Sequence, residues 1–357
     1  IVFNHRTYPN FVRLLAQLGV ASQETEMSFS VRCERSGLEY NGTNLDTLFA
    51  QRHNLLSPGF LGMVVDILRF NRDGLAQAAQ LPEATVGEFL AAHRYGRRFA
   101  AHYLVPMGAA IWSCPPRTFE AFPIRFVMDF FANHAMLQVH GRPVWRVIRG
   151  GSARYVEPLT AAFADRIRLN TPVLGVRRQA DGVVVRTAAG EEHHDEVVLA
   201  CHADQALAVL EDPSDVEREV LTAFPYQRNE AVLHTDASML PRARKAWAAW
   251  NYRIPTTPGD AVTLTYNMNI LQGLSSAHTF CVTLNDGANL PEEAVVKRLT
   301  YHHPIFTTAR ERTRARQAEL LRTRHTSYCG AYWGYGFHED GVNAALAVAR
   351  AFGEELG

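Results

Sequence analysis

The residues best suited to chemistry lie near the end of the chain. Ser327–Gly330 reads as a short strand, and Ala331–Phe337 as an aromatic, glycine-rich turn. A helix then begins near Glu339 and carries an Ala/Leu/Val face. Gly334, Gly336 and Gly341 sit among Tyr332, Trp333, Tyr335 and Phe337. Glycine adds no side chain, so such a turn lets backbone approach a flat ligand closely. The unpaired N–H groups of the helix start then point at an electron-rich edge of that ligand, and the helix dipole favours charge building up there. An ordinary strand–turn–helix with a packed aromatic turn fits the same residues.

Two further pieces carry chemistry only in company. Arg149-Gly150-Gly151-Ser152 is a glycine turn opening a helix, a common arrangement before a serine N-cap. Leu169–Val176, the Asp181-Gly182 hairpin and Asp195–His202 read as a strand, a meander and a buried strand end. A plain β-meander reads the same way.

The totals bound the function. At 357 residues the chain has room for about two domains. Thirty-six Lys+Arg balance 36 Asp+Glu, which argues against a general nucleic-acid binder. Lys245 and Lys297 are the only lysines. Five widely spaced cysteines with no CxxC pair argue against a disulfide framework or zinc site, and a reducing, cytoplasmic setting is the default. The pairs His193-His194 and His302-His303 lack metal-site spacing, so no metal is expected. No run of 18 apolar residues predicts a spanning helix.

The elements follow from periodicity and caps. Residues 8–18 predict an amphipathic helix and residues 28–42 a strand pair. From 44 to 138 the pattern is helical, with a capping box at Thr85–Glu88, helices over 97–112 and 124–137, and a stop at Pro115-Pro116. A helix is predicted over 153–164. Strands are predicted over Ile167–Leu169, Val173–Arg178, Val183–Thr187 and Val197–Ala200. Ser214–Glu217 is a second capping box. Residues 229–285 read as strands, Lys297 falls in a predicted helix, and Ile1–Asn4 reads as a strand.

In this order and spacing the three pieces resemble the flavin-containing amine oxidase and phytoene desaturase superfamily. The resemblance is strongest to a bacterial subgroup described as predicted NAD/FAD-binding, or FAD-dependent amine-oxidase-like, proteins. Cys329-Gly330 matches the strand end, and Gly336-Phe-His-Glu-Asp-Gly341 matches the helix start with one extra residue. Where the family commonly has Glu after the first Gly, this chain has Ala331.

The resemblance implies a mixed α/β fold in which an incomplete Rossmann-like FAD-binding domain (1–27, 140–212, 320–357) interleaves with a helix-plus-antiparallel-sheet substrate domain (28–139, 213–319). It implies FAD as cofactor, contacted by Gly150, Gly151, Val173, Ala200, Gly330, Ala331, Gly336, Glu339, Asp340, Gly341 and Val342. It places His338 at the aromatic wall of the substrate cage, as the one catalytic candidate. It sets Trp250, Tyr252, Tyr266 and Trp333 on the substrate side, where core packing explains the aromatics equally well.

The family's opening G-x-G-x-x-G unit does not occur in these residues. The start at Ile1 reads as the segment after that unit, so roughly 60 residues of βαβ unit and tail are expected upstream. The expected activity is hydride transfer from a C–N or C–C bond to flavin. The rivals are a desaturase or isomerase of a long fatty acyl or isoprenoid chain, with peripheral membrane contact, and a non-catalytic fragment. The expected partners are a small-molecule or lipid-like substrate and no nucleic acid.

Overall fold

The computed structural model describes residues 2–138, 141–257 and 261–357. Fourteen strands are found among them: β1 Ser22–Glu24, β2 Phe29–Cys33, β3 Leu38–Asn41, β4 Arg146–Ile148, β5 Gly175–Gln179, β6 Gly182–Thr187, β7 Gly190–His194, β8 Val197–Leu199, β9 Tyr226–His234, β10 Trp250–Ile254, β11 Leu264–Asn267, β12 Cys281–Leu284, β13 Val295–Pro304 and β14 Thr326–Tyr328. The arrangement is the mixed α/β class expected from the sequence.

Seven strands form one sheet in the order β13-β9-β12-β11-β10-β2-β3. Every neighbouring pair is antiparallel except β2 with β10. Strand alternation puts Trp250 and Tyr252 on one face. Asn251 between them is buried on the other, where its side chain bonds Ser30 Oγ (2.8 Å), Ala248 N (3.0 Å) and Thr265 O (3.1 Å). Both faces of the sheet centre are therefore closed to water.

Helices cover the side bearing Tyr252. The helix Pro58–Ala79 starts at the Ser57 cap and buries Phe60, Met63, Phe70, Gly74 and Ala78. A Cβ at Gly74 would stand 3.0 Å from Met128 Cε on the facing helix Ile124–Asn133. The stretch expected as one helix over 97–112 contains a wide π turn at Ala100–Leu104. Pro106 has no N–H for the carbonyl of His102, and Tyr40 Oη donates to that carbonyl instead (2.6 Å).

A second core lies around the parallel pair β8–β14, the meander β5-β6-β7 and the helix Asp215–Thr222. Its centre is charged. Arg178 donates to both oxygens of Glu217 (3.0 and 2.9 Å), Tyr328 Oη donates to Oε1 (2.6 Å), and Ser214 N–H donates to Oε2 (2.7 Å). Meander, helix and β14 are thus tied to one carboxylate.

Several expectations shift. Ile167–Leu169 is not a strand: it follows a turn of 3-10 helix, and Leu169 is exposed. Val173 lies ahead of β5 rather than inside it. Lys297 sits on β13, not on a helix. The helix over 124–137 stops at Asn133, and Ala135 takes a left-handed φ of 53°. Phe3 makes a two-way bridge to Arg146, and Ile1 lies outside the described residues. No described helix is long and apolar enough to cross a membrane.

Burial pushes the Glu217 carboxyl up, but the bonds from Tyr328, Ser214 and Arg178 outweigh it and hold the group below the usual carboxylate range. A depressed folded pKa adds stability that is present above the unfolded value and lost as pH falls through the folded one. Glu217→Ala, which leaves Arg178 buried without its partner, is expected to cost about 3–5 kcal/mol in urea unfolding at neutral pH. The gap from wild type should narrow on acidification below the ordinary glutamate range.

Candidate active site

The turn 331–337 is held by charge. Arg310 is fully buried, and its Nη2 donates to Tyr332 O (2.7 Å) and to Gly334 O. Its guanidinium lies 4.1 Å from the Phe306 ring centroid, 5.4 Å from Phe126 and 5.9 Å from Phe224. Gly336 takes φ +90°, a left-handed conformation that favours glycine. A Cβ at Gly334 would overlap the Asp340 carboxylate and stand 2.6 Å from its Cβ, so a larger residue there would displace Asp340. Asp340 accepts the Phe337 N–H (2.9 Å), and burial pushes its carboxyl up.

The C-terminal helix His338–Ala351 therefore starts in one orientation. The backbone N–H groups of His338, Glu339 and Asp340 have no acceptor among the described residues. They are three parallel donors at the positive end of a 14-residue helix. Glu339 is committed elsewhere. Its carboxylate accepts the N–H groups of Asn10 (3.0 Å) and Phe11 (2.9 Å), capping the helix Pro9–Gln17.

Beside Phe337 opens a cavity of about 420 Å³. Its walls are mainly apolar and aromatic: Tyr8, Tyr40, Tyr103, Met107, Ile111, Phe130, Trp145, Trp250 and Phe337. Glu26, Ser28 and Arg142 are among its polar lining. Neither lysine lines it, since Lys245 pairs with Asp46 (3.0 Å) and Lys297 is exposed on β13.

His134, like Ser28, is a buried polar side chain of this wall. Its Nδ1 stands 3.0 Å from the Phe130 carbonyl, which only accepts, so Nδ1 carries the proton. Nε2 makes no hydrogen bond among the described residues and is the ring's free acceptor. The ring stacks on Phe130 at 3.9 Å, and burial pulls its pKa down to about 4.

The expected site residues separate into groups. Gly330, Ala331, Gly336, Asp340, Gly341 and Val342 meet at the turn and the helix start. Gly150 and Gly151, at φ +77° and +91°, form the turn after β4. The helix they open brings Tyr155 to 6.0 Å from Phe11, and Val342 packs on the same cluster. Ala200, exposed at the end of β8, lies beside Cys329, whose N–H bonds Leu199 O (3.1 Å). Val173 is exposed ahead of β5.

On the substrate side, Trp250 lines the cavity, and Tyr266 stands edge-on behind it at 5.0 Å. Tyr252 is enclosed in the first core. Trp333 packs on Phe224 (5.1 Å) in the second core, not on the cavity. His338 lies against Phe11 (5.5 Å), whereas its neighbour Phe337 forms the wall. Phe337, not the expected His338, faces the cavity, and the aromatic residue directly after Gly336 was the signal that could have found it. Tyr8, Phe130, His134 and Trp145 come from segments whose apolar patterns read only as core.

A family model described as flavin containing amine oxidoreductase matches residues 1–234. No curated protein sequence matches. Among solved structures, the chain superposes on the CLA-producing fatty acid isomerase from P. acnes with a TM-score of 0.66 at 13% identity, covering 99% of this chain and 86% of that one. Cyclohexylamine oxidase from Brevibacterium oxydans IH-35A gives 0.65 at 14%, covering 99% and 88%. A putative protoporphyrinogen oxidase from Exiguobacterium sp. 255-15 gives 0.63 at 15%, covering 99% and 87%. At these identities the likeness is one of fold.

Two outcomes follow from this geometry. His134 should titrate near pH 4 in a nitrogen-15 histidine NMR titration. Its folded pKa lies below the ordinary 6.5, so stability should fall as pH drops from 6.5 through 4, by up to about 3 kcal/mol. A His134→Phe variant should lack that part of the slope. Arg310→Met should leave two turn carbonyls unpaired at about 1–3 kcal/mol each. Arg310→Lys, with charge but no planar fork, should lie between it and wild type in urea unfolding.

Proposed function

The chain belongs to the flavin-containing amine oxidoreductase family, and from that membership we propose that it is an FAD-dependent oxidoreductase of a small, mainly apolar substrate, from whose C–N or C–C bond a hydride equivalent is removed. The observation that carries the reading is the aromatic cavity ending at Phe337, one residue before the open helix N-terminus. The family's cofactor is FAD, which supplies the two-electron acceptor.

The residues present fit one edge of such a cofactor. The N–H groups of His338, Glu339 and Asp340 would hold the electron-rich edge of the ring. Gly150, Gly151, Gly330, Ala331, Gly336 and Gly341 would give its plane room, and Val173 and Ala200 would border its adenosine half. Asp340, Gly341 and Val342 belong to this proposal through the helix start, whereas Glu339 contributes through its N–H, its carboxylate being taken by the first helix. The division into a cofactor domain (1–27, 140–212, 320–357) and a substrate domain (28–139, 213–319) is part of the same proposal.

The chain's own groups have definite tasks here. Phe337, Trp250 and Trp145 would orient the substrate and keep water out. Neutral His134 would accept a hydrogen bond from a substrate N–H or O–H at Nε2. With a pKa near 4 it is a weak base, suited to positioning rather than to deprotonating an ammonium ion.

A second reading, a desaturase or isomerase of a long fatty acyl or isoprenoid chain, draws support from the same apolar walls and from the absence of lysine among their lining residues. One structural neighbour is a fatty acid isomerase and another an amine oxidase, so fold alone does not choose.

Mixing the FAD-loaded protein anaerobically with soluble amines, and separately with acyl or isoprenoid lipids in detergent, separates the two. Flavin bleaching by amines alone supports C–N oxidation. Bleaching or double-bond movement with lipids alone supports the second reading, and neither response from a broad panel sinks both. Phe337→Ala is expected to lower kcat/KM for the active class by about tenfold to a hundredfold, with the fold intact by circular dichroism.

A further inference from the structure

The helix Pro58–Ala79 is apolar on two faces. One face is core. On the other, Leu61, Val65, Leu68 and Leu75 recur at helical spacing and are all exposed, Val65 at 63% and Leu68 at 54%. Leu55 and Leu56 continue the patch ahead of the helix, Leu56 at 88%. Apolar side chains aligned over about four turns of one helix are not the scattered singles of an ordinary surface.

The charges beside this stripe are one-sided. Asp66 is tied to Arg69 (3.0 Å) and to the Gly96 N–H (2.8 Å), and Asp73 to Arg72 (2.7 Å). Arg94, Arg97 and Arg98 run along the same flank: Arg69 bonds the Arg94 carbonyl (3.4 Å), and the Arg98 guanidinium lies beside Gly59. All three are exposed or half-exposed, and none has a carboxylate within 4.0 Å among the described residues. The stripe is thus apolar apart from Arg72, which stands between Leu68 and Leu75, and the flank on one side of it is basic.

We infer that this face docks flat on an anionic lipid bilayer, with Leu56, Leu61, Val65, Leu68 and Leu75 entering the headgroup–acyl boundary and Arg94, Arg97 and Arg98 meeting lipid phosphates. The geometry is that of an interfacial helix, which buries its apolar face about 5–10 Å deep. A second copy of the chain is the weaker occupant. Two-fold pairing would bring the same uncompensated arginine edge against itself. The face is also one ring away from the cavity, because Phe60 on the helix packs against Tyr40 (5.8 Å), which lines it. The inference stands whether or not the substrate is a lipid.

The test is co-sedimentation of the full chain with phosphatidylcholine vesicles, with and without phosphatidylglycerol, beside sedimentation velocity without lipid. Expected are binding to the anionic vesicles, little to the neutral ones, and release by salt. Leu61→Ser/Val65→Ser/Leu68→Ser should weaken binding by roughly tenfold or more. Arg97→Glu/Arg98→Glu should weaken it by at least about fivefold per charge removed, and gives a second route should the triple variant fold poorly. Binding to neither vesicle, or binding unchanged in the arginine variant, would overturn the inference. A dimer in sedimentation velocity that the triple variant breaks would assign the face to a second copy and overturn it too.

Discussion

Burial of the Arg310 charge is the constraint on which the site depends. A guanidinium removed from water is costly unless its donors and its charge are both met. Here the turn carbonyls of Tyr332 and Gly334 take donors, Glu311 supplies a counter-charge, and the rings of Phe306, Phe126 and Phe224 supply π faces, while Nε is left without an acceptor among the described residues. Burial pulls its pKa down to about 10, which still leaves it charged at neutral pH. Phe126 and Phe306 belong to the first core, Phe224 and Tyr332 to the second. The charge therefore sits at the seam of the two cores and fixes the turn that passes between them. Phe337 and the open helix N-terminus inherit their positions from it.

Other long-range joints use the same device. Glu339 caps a helix 328 positions earlier in the chain. Glu217 gathers a meander strand, its own helix cap and β14. A carboxylate accepting several N–H or O–H donors has its hydrogen-bonding capacity satisfied, so it can be buried where an unpaired one could not. These joints also separate duties that share one motif. In the C-terminal segment Glu339 and Asp340 spend their side chains on structure, which leaves only backbone N–H groups to face a ligand.

What the sequence revealed follows from where the information lay. The C-terminal strand, turn and helix were legible because glycines, aromatics and a small-residue helix mark them locally. The capping boxes at Thr85 and Ser214 were legible because four residues determine each. β13 was not, because its residues are mostly exposed along its length and carry Lys297, Arg298 and two histidines, so no period-2 pattern survives. Which residue faces the cavity was not legible, because the insertion between Gly336 and Gly341 can be absorbed before or after the helix start. Geometry, not spacing, decides that Phe337 turns to the cavity and His338 to Phe11. The rest of the cavity was illegible in principle: Tyr8, Tyr40, His134 and Trp145 come from separate elements, and each looks like an ordinary core residue until the chain is folded.

The cavity's chemistry can be read from what burial does to its polar groups. His134 is made neutral by its surroundings, and Tyr8 and Tyr40 are held protonated by theirs. Charge is kept to Glu26 and Arg142, both exposed. On the proposed reading, a site graded in this way would admit a molecule by its neutral, apolar part and leave an ionised part near water. It disfavours a buried ammonium or carboxylate by the same desolvation that lowers the His134 pKa. On the proposed reading, a weakly basic ring and aromatic walls would select by shape and by single hydrogen bonds rather than by ion pairing, and the reacting bond would lie in the uncharged portion of the substrate.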